Sequence, residues 1–198
     1  MTTICRASAV LLCLLALAAS GGGDAPKFRS TDITGADFGA GFELRDPAGR
    51  LRHLADFKGK AVVLFFGYTH CPDVCPTTLA DLAQAMKQLG PLADRVQVLF
   101  VTVDPERDTP AVLAQYVPAF DARFLGLRGD AAQTERVAKD FKIYYEKHEG
   151  KAPGEYSVDH SAQCYVFDPQ GRLRLYVRHD RLAEDLVPDL RTLLGASS

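Results

Sequence analysis

Two periods organise the apolar positions of this chain. Ala61 to Gly67 (AVVLFFG) and Val96 to Val103 (VQVLFVTV) are nearly unbroken apolar runs, rich in β-branched and aromatic residues. Such runs predict strands covered on both faces. Between them, Leu79, Leu82, Ala83, Met86 and Leu89 recur at helical spacing, with Pro76 suited to the first helical position and Gly90-Pro91 as a stop. Asp108-Thr109-Pro110 signals a second helix start, with Val112, Leu113, Tyr116 and Val117 as its apolar face. A short strand is expected at Arg123 to Leu127 and a helix over Asp130 to Phe141. Ala162 to Phe167 and Leu173 to Val177 read as a hairpin turned by Asp168-Pro169-Gln170-Gly171. Leu182, Leu186, Leu190, Leu193 and Leu194 mark a last amphipathic helix. Upstream, Phe42-Glu43-Leu44 followed by Asp46-Pro47-Ala48-Gly49-Arg50 predicts a first hairpin. Glu146 to Ser157 is polar and punctuated by Gly and Pro, so a loop is expected there.

Strands alternating with helices imply a parallel core, and a closing hairpin adds an antiparallel pair. The expected class is α/β: a central mixed sheet flanked by helices, with an N-terminal β-hairpin, compatible with a thioredoxin-like fold carrying extra elements. The first residues stand apart. Arg6 is the only charge among the first twenty, and Ala7 to Ala19 is apolar. That run is short for a membrane span of roughly 20 residues and fits the core of a signal peptide, followed by Ala16, Ala18, Ala19 and Ser20. Leu17-Ala18-Ala19-Ser20 resembles a lipoprotein cleavage box, but Ser20 offers no thiol to lipidate. The expected division is therefore 1–20 as signal peptide or anchor, 21–30 as a flexible tether beginning Gly21-Gly22-Gly23, and 31–195 as one domain, exported to the periplasm or the outer face of the cytoplasmic membrane. Cys5 and Cys13 fall in the leader and leave Cys71, Cys75 and Cys164 to the domain.

Composition removes several functions. The 198 residues are 47% hydrophobic and 24% charged, with 23 Lys+Arg against 25 Asp+Glu. A net charge of −2 gives no basic footprint for nucleic acid. Five cysteines are too few for a disulfide-stapled miniprotein, and a chain of this length buries a core without staples.

The chemistry concentrates in Gly67-Tyr68-Thr69-His70-Cys71-Pro72-Asp73-Val74-Cys75-Pro76, between a buried strand and a helix start. Pro76 disfavours helical geometry at Cys75, so the helix is expected to begin just after it. Cys75 would then lie at the positive end of the helix dipole, where a thiol loses its proton more readily. Three residues separate the two cysteines, which allows a disulfide and also a bite for a soft ion such as Cu(I), or Zn. His160, expected just before the strand Ala162 to Phe167, is the best third ligand. His70 adjoins Cys71 and is expected to point away, while His53, His148 and His179 are read as surface residues. Cys164 is expected to act as a small core hydrophobe. Asp73 either tunes the cysteine loop or only forms its turn. Val103 to Pro110 either lines the site or supplies a turn and helix cap.

The Phe66 to Pro76 segment, Asp104 to Pro110 and Val158-Asp159-His160, in that order, resemble the SCO/SenC family of copper-binding, thioredoxin-like proteins of cytochrome c oxidase assembly. The likeness runs from about residue 28 to 194. It implies copper, as Cu(I) or Cu(II), held by Cys71, Cys75 and His160. It also implies delivery to the dinuclear centre of cytochrome c oxidase subunit II or another copper acceptor. Periplasmic copper donors and thioredoxin-like reductants are further expected partners, and the chain is expected to be a monomer. A second expectation is a thiol-disulfide oxidoreductase using Cys71 and Cys75 as a redox pair, and a weaker third is a peroxiredoxin-like peroxidase or redox sensor.

Overall fold

A computed structural model describes residues 26–196 except residue 153. The leader and most of the tether lie outside the described residues. Among the described residues no helix is long and apolar enough to cross a membrane. The described residues form ten strands and four α-helices: β1 (Thr31–Asp32), β2 (Glu43–Arg45), β3 (Leu51–His53), β4 (Ala61–Gly67), α1 (Val74–Leu89), β5 (Val96–Thr102), α2 (Pro110–Tyr116), β6 (Leu125–Leu127), α3 (Ala131–Asp140), β7 (Tyr145–Glu149), β8 (Tyr156–His160), β9 (Cys164–Phe167), β10 (Leu173–Val177) and α4 (Leu182–Leu193).

The main sheet has the order β1-β10-β9-β4-β5-β6. The strands β4, β5 and β6 are parallel, and β9, β10 and β1 add antiparallel pairs. This is the mixed, thioredoxin-like sheet the pattern implied. Every residue of β4 is buried, because helices cover both faces. Phe65 meets Phe100 with ring centroids 5.9 Å apart, whereas its neighbour Phe66 meets Phe141, just past α3, at 5.4 Å. Consecutive residues of one strand thus serve opposite cores, which explains an unbroken apolar run in place of an alternating one.

Two expectations need correction. Residues 146–157 are not a loop throughout, because β7 and β8 form a separate two-stranded hairpin. Its residues are mostly exposed, so little apolar patterning announces it. The helix α1 begins at Val74, not after Cys75. Pro76 sits in the first turn, where a missing N–H costs nothing because those donors have no intrahelical partner.

Two of the hairpins, β2–β3 and β9–β10, use one device. Asp46-Pro47-Ala48-Gly49-Arg50 joins β2 to β3, and Asp168-Pro169-Gln170-Gly171-Arg172 joins β9 to β10. Gly49 and Gly171 take φ of 80° and 81°, which L side chains rarely adopt. The two carboxylates are buried. Asp46 accepts backbone N–H bonds from Ala48 and Arg50 and side-chain bonds from Arg50 and Arg52. Asp168 does the same with Gln170, Arg172 and Arg174. Burial opposes ionisation of each, but these donors outweigh it and hold both carboxyls below the usual value.

A group with a depressed folded pKa contributes stability that is present above its unfolded value, near 4. That contribution is lost as pH falls through the lower folded value. The melting temperature should therefore fall on acidification below about pH 4, and Asp168→Asn should lower it at pH 7 while flattening the acid limb. Thermal melts of both proteins from pH 7 to pH 2 check this, and parallel acid limbs would remove Asp168 from the account.

Candidate metal centre

The cysteine loop leaves the end of β4 and turns back onto the start of α1. Its shape depends on Asp108, a carboxylate wholly buried behind the loop. Asp108 accepts the Thr69 backbone N–H at 3.0 Å, the Thr69 hydroxyl at 2.6 Å and the Thr102 hydroxyl at 2.6 Å. These bonds satisfy the buried charge and tie the loop to the end of β5. Thr109 caps α2 by accepting the Val112 N–H. The Val103 to Pro110 segment is therefore both a helix cap and a support for the site.

Gly67 ends β4 directly beneath Cys75. A Cβ there would lie 2.7 Å from the Cys75 sulfur and 2.9 Å from the Phe100 ring. Only glycine lets the fully buried Cys75 thiol settle against the strand end.

Cys71 Sγ takes the place of a helix cap. The Cys75 N–H points at it from 3.5 Å, and the first turn of α1 presents its free amides on the same side. The neighbouring Cys75 side chain is the largest cause of the fall of the Cys71 pKa to about 4. Burial opposes the fall, and N–H groups of Asp73 and Cys75 reinforce it. The Cys75 thiol is correspondingly pushed up, first by the adjoining Cys71 sulfur and then by burial. This reverses the expectation for Cys75. The thiolate at the helix N-terminus is Cys71, because Cys75 lies inside the first turn and points into the core.

The third side chain precedes β9, as expected, but arrives as the last residue of β8 and not from a loop. His160 Nε2 lies 3.2 Å from Cys75 Sγ. Its Nδ1 lies 2.9 Å from the Ser161 carbonyl, which can only accept, so Nδ1 carries the ring proton and Nε2 presents a lone pair to the sulfur. Tyr68 stands edge-on to the imidazole, 5.7 Å between centroids, and Phe65 at 6.2 Å. One ligand atom from each of Cys71, Cys75 and His160 falls within 4.8 Å of the others. Among the described residues this is the only group of three or more His, Cys, Asp or Glu side chains so placed. It opens into a cleft of about 320 Å³ lined by Tyr68, Pro72, Val74 and Ala162 among others.

The other candidates lie apart. His70 Nδ1 faces the Thr69 hydroxyl at 3.1 Å and the Asp108 carboxylate at 3.8 Å, away from the sulfurs. His53 adjoins Glu43 at 3.4 Å and His148 adjoins Asp159 at 3.1 Å. His179 is only half-exposed and shares a 2.9 Å bond with the buried Thr78 hydroxyl. Cys164 is fully buried in β9, and burial pushes its thiol pKa up. Asp73 precedes α1 without a capping bond from its side chain; only its backbone N–H serves the site.

The SCO1/SenC family model matches residues 30–195. The chain belongs to the SCO1/SenC family. It is 43% identical over 157 residues to the mitochondrial SCO2 homolog of Bos taurus, covering 78% of this chain and 59% of that one. It is 35% identical over 142 residues to an SCO2-like protein of Rickettsia felis, covering 71% and 68%. The chain spans about three-fifths of the length of the mitochondrial relatives it matches. Among solved structures, Bradyrhizobium japonicum ScoI with copper bound superposes with a TM-score of 0.71 at 40% identity, covering 78% of this chain and 98% of that one. Apo Sco1 from Thermus thermophilus gives 0.76 at 42%, covering 87% and 100%.

Sequence reasoning passed over Gly67 and Tyr68 as site residues. A glycine closing an apolar strand beside a cysteine loop was the one available signal for the first. Nothing in the pattern marked Tyr68, whose role comes from a strand some 90 positions away.

The two cysteines should react differently. Alkylation at pH 7 should modify Cys71 first, with a rate that falls only as pH drops through about 4. Cys75 and Cys164 should react far more slowly. Timed alkylation with peptide mapping measures this, and modification of Cys75 ahead of Cys71 would overturn the assignment.

Proposed function

We propose that this protein is a copper metallochaperone that holds one ion through Cys71, Cys75 and His160. The observation that carries the reading is the convergence of two sulfurs and one imidazole nitrogen in an open cleft. Two sulfur donors favour Cu(I), and the imidazole also accommodates Cu(II). Copper is cargo here. It leaves by ligand exchange, as acceptor thiolates entering the cleft replace the three donors one at a time. Membership of the SCO1/SenC family, and its likeness to copper-bound ScoI, favour cytochrome c oxidase subunit II as acceptor. Copper donors and thioredoxin-like reductants of the periplasm complete the expected partners.

A second reading rests on the asymmetry of the thiols. A Cys71 thiolate can attack an acceptor disulfide, releasing one acceptor thiolate and forming a mixed disulfide. Cys75, once deprotonated, then attacks Cys71. This closes the Cys71–Cys75 disulfide and releases the second acceptor thiolate, so the acceptor gains the two electrons that the pair loses. His160 separates the readings, because exchange needs only the sulfurs.

Replacing Cys71 or Cys75 with Ser should abolish both copper retention and the disulfide. His160→Ala should weaken copper while the disulfide still forms, and His70→Ala should change neither by more than a small factor. Because Cys75 keeps its proton at neutral pH, binding must displace it, and affinity should fall as pH drops. Competition with a chelator, together with non-reducing peptide mapping, measures all four variants. Unchanged affinity in all four would leave only the oxidoreductase.

Export is part of the same reading, since Ala7 to Ala19 has the length of a signal-peptide core. The mature domain would then be reached through the short Gly-rich tether, with residues 31–195 as the copper-binding domain. Intact-mass measurement of protein from the bacterial envelope should find an N-terminus between Ser20 and Gly23. An intact Met1 in the cytoplasmic fraction would sink export, whereas an intact Met1 in the membrane fraction would show an anchor.

A further inference from the structure

His160 stands on a hairpin that the main sheet does not hold. Among the described residues the strands β7 and β8 pair only with each other, and an isolated two-stranded hairpin is marginal in water. Side chains from elsewhere must therefore fix where His160 points.

One side chain links several of those contacts. Arg107, in the loop after β5, donates from Nη1 to the Tyr156 carbonyl at 2.9 Å, at the start of β8. Its guanidinium carbon lies 3.5 Å from the centre of the Tyr156 ring and 5.7 Å from that of Tyr68. Its Nε donates to the buried Asp104 carboxylate, whose other oxygen accepts the Tyr156 hydroxyl at 2.8 Å. Tyr156, Val158 and His160 alternate along one face of β8. The Val158 N–H donates to the Tyr68 hydroxyl at 3.3 Å, and the Tyr68 ring abuts the imidazole. The planar guanidinium thus stacks on one tyrosine, approaches a second and bonds the backbone of the ligand's own strand. A lysine, as a point charge, cannot reproduce that combination.

We propose that Arg107 is the positioning residue for His160, setting the imidazole's approach to the two sulfurs without touching the ion. The inference rests on His160 being a ligand, and the outcomes below separate the two claims.

The test compares Arg107→Ala, Arg107→Lys, His160→Ala and the double variant Arg107→Ala/His160→Ala. Copper affinity is read by chelator competition, and nitrogen ligation by hyperfine coupling in the electron paramagnetic resonance spectrum of the Cu(II) form. Arg107→Ala should lower affinity by about 10- to 100-fold, the range seen when supports of metal ligands are removed. It should also weaken the nitrogen coupling, while the Cys71–Cys75 disulfide still forms at the unmodified rate. Arg107→Lys should recover only part of the affinity. In the His160→Ala background, Arg107→Ala should cost nothing further, because its only route to the ion is gone. Should Arg107→Ala lose the native circular dichroism spectrum, Arg107→Lys carries the same comparison. An intact nitrogen coupling in the Arg107 variants, or a full additive loss in the double variant, would overturn the proposal while leaving the ligand set standing. Unchanged affinity in His160→Ala alone would remove the ligand and this inference together.

Discussion

Five residues after β5 hold the site together. Asp104 and Asp108 are both buried carboxylates on one short turn, and each is committed to a different side of the cleft. Asp108 satisfies its charge with Thr69 and so shapes the cysteine loop. Asp104, with Arg107, satisfies its own with Tyr156 and so anchors the histidine strand. An unpaired buried charge is costly, so neither loop nor strand can drift without leaving a carboxylate unsatisfied. The distance between sulfurs and imidazole is thus set by a turn that contributes no ligand.

The two cysteines are unequal by construction. Cys71 lies at the mouth of the cleft as a thiolate, stabilised by the Cys75 thiol and by amides at the start of α1. Cys75 is buried against Gly67 and keeps its proton. In the proposed reading, an ion first meets a partly exposed, charged sulfur and is then enclosed as Cys75 loses its proton. The same inequality suits disulfide exchange, which needs one nucleophile and one resolving thiol. The chemistry of a carrier and that of a reductant therefore share one arrangement, and His160 is what distinguishes them.

Much of the fold was legible in the chain because its strongest signals come from burial. The runs in β4 and β5 are apolar on both faces since helices cover both. The leucine spacing of α1 and α4 reflects their packing on each other and on the sheet. Both Asp-Pro-x-Gly-Arg turns carry their own glycine and their own buried carboxylate. The β7–β8 hairpin escaped because most of its side chains face water, so polar composition hid a strand pair. The start of α1 was misplaced because the preference of a residue before proline yielded to the loop that Asp108 and Gly67 impose.

Residue types and spacing alone determined which side chains were chemically fit to act together: two cysteines on a strand-to-helix loop and one histidine far along the chain. Covalent order carries that much because a thiol or an imidazole is the same group in any fold. Tertiary structure decided the rest. It assigned the lowered pKa to Cys71 rather than Cys75, since a pKa depends on which donors surround a sulfur and not on its place in sequence. It placed His160 at the end of an extra hairpin, 3.2 Å from a sulfur 85 positions away. It also gave Gly67, Tyr68 and Arg107 their roles. Those roles are contacts across long sequence separations, and a single chain records no signal for a contact until folding closes the distance.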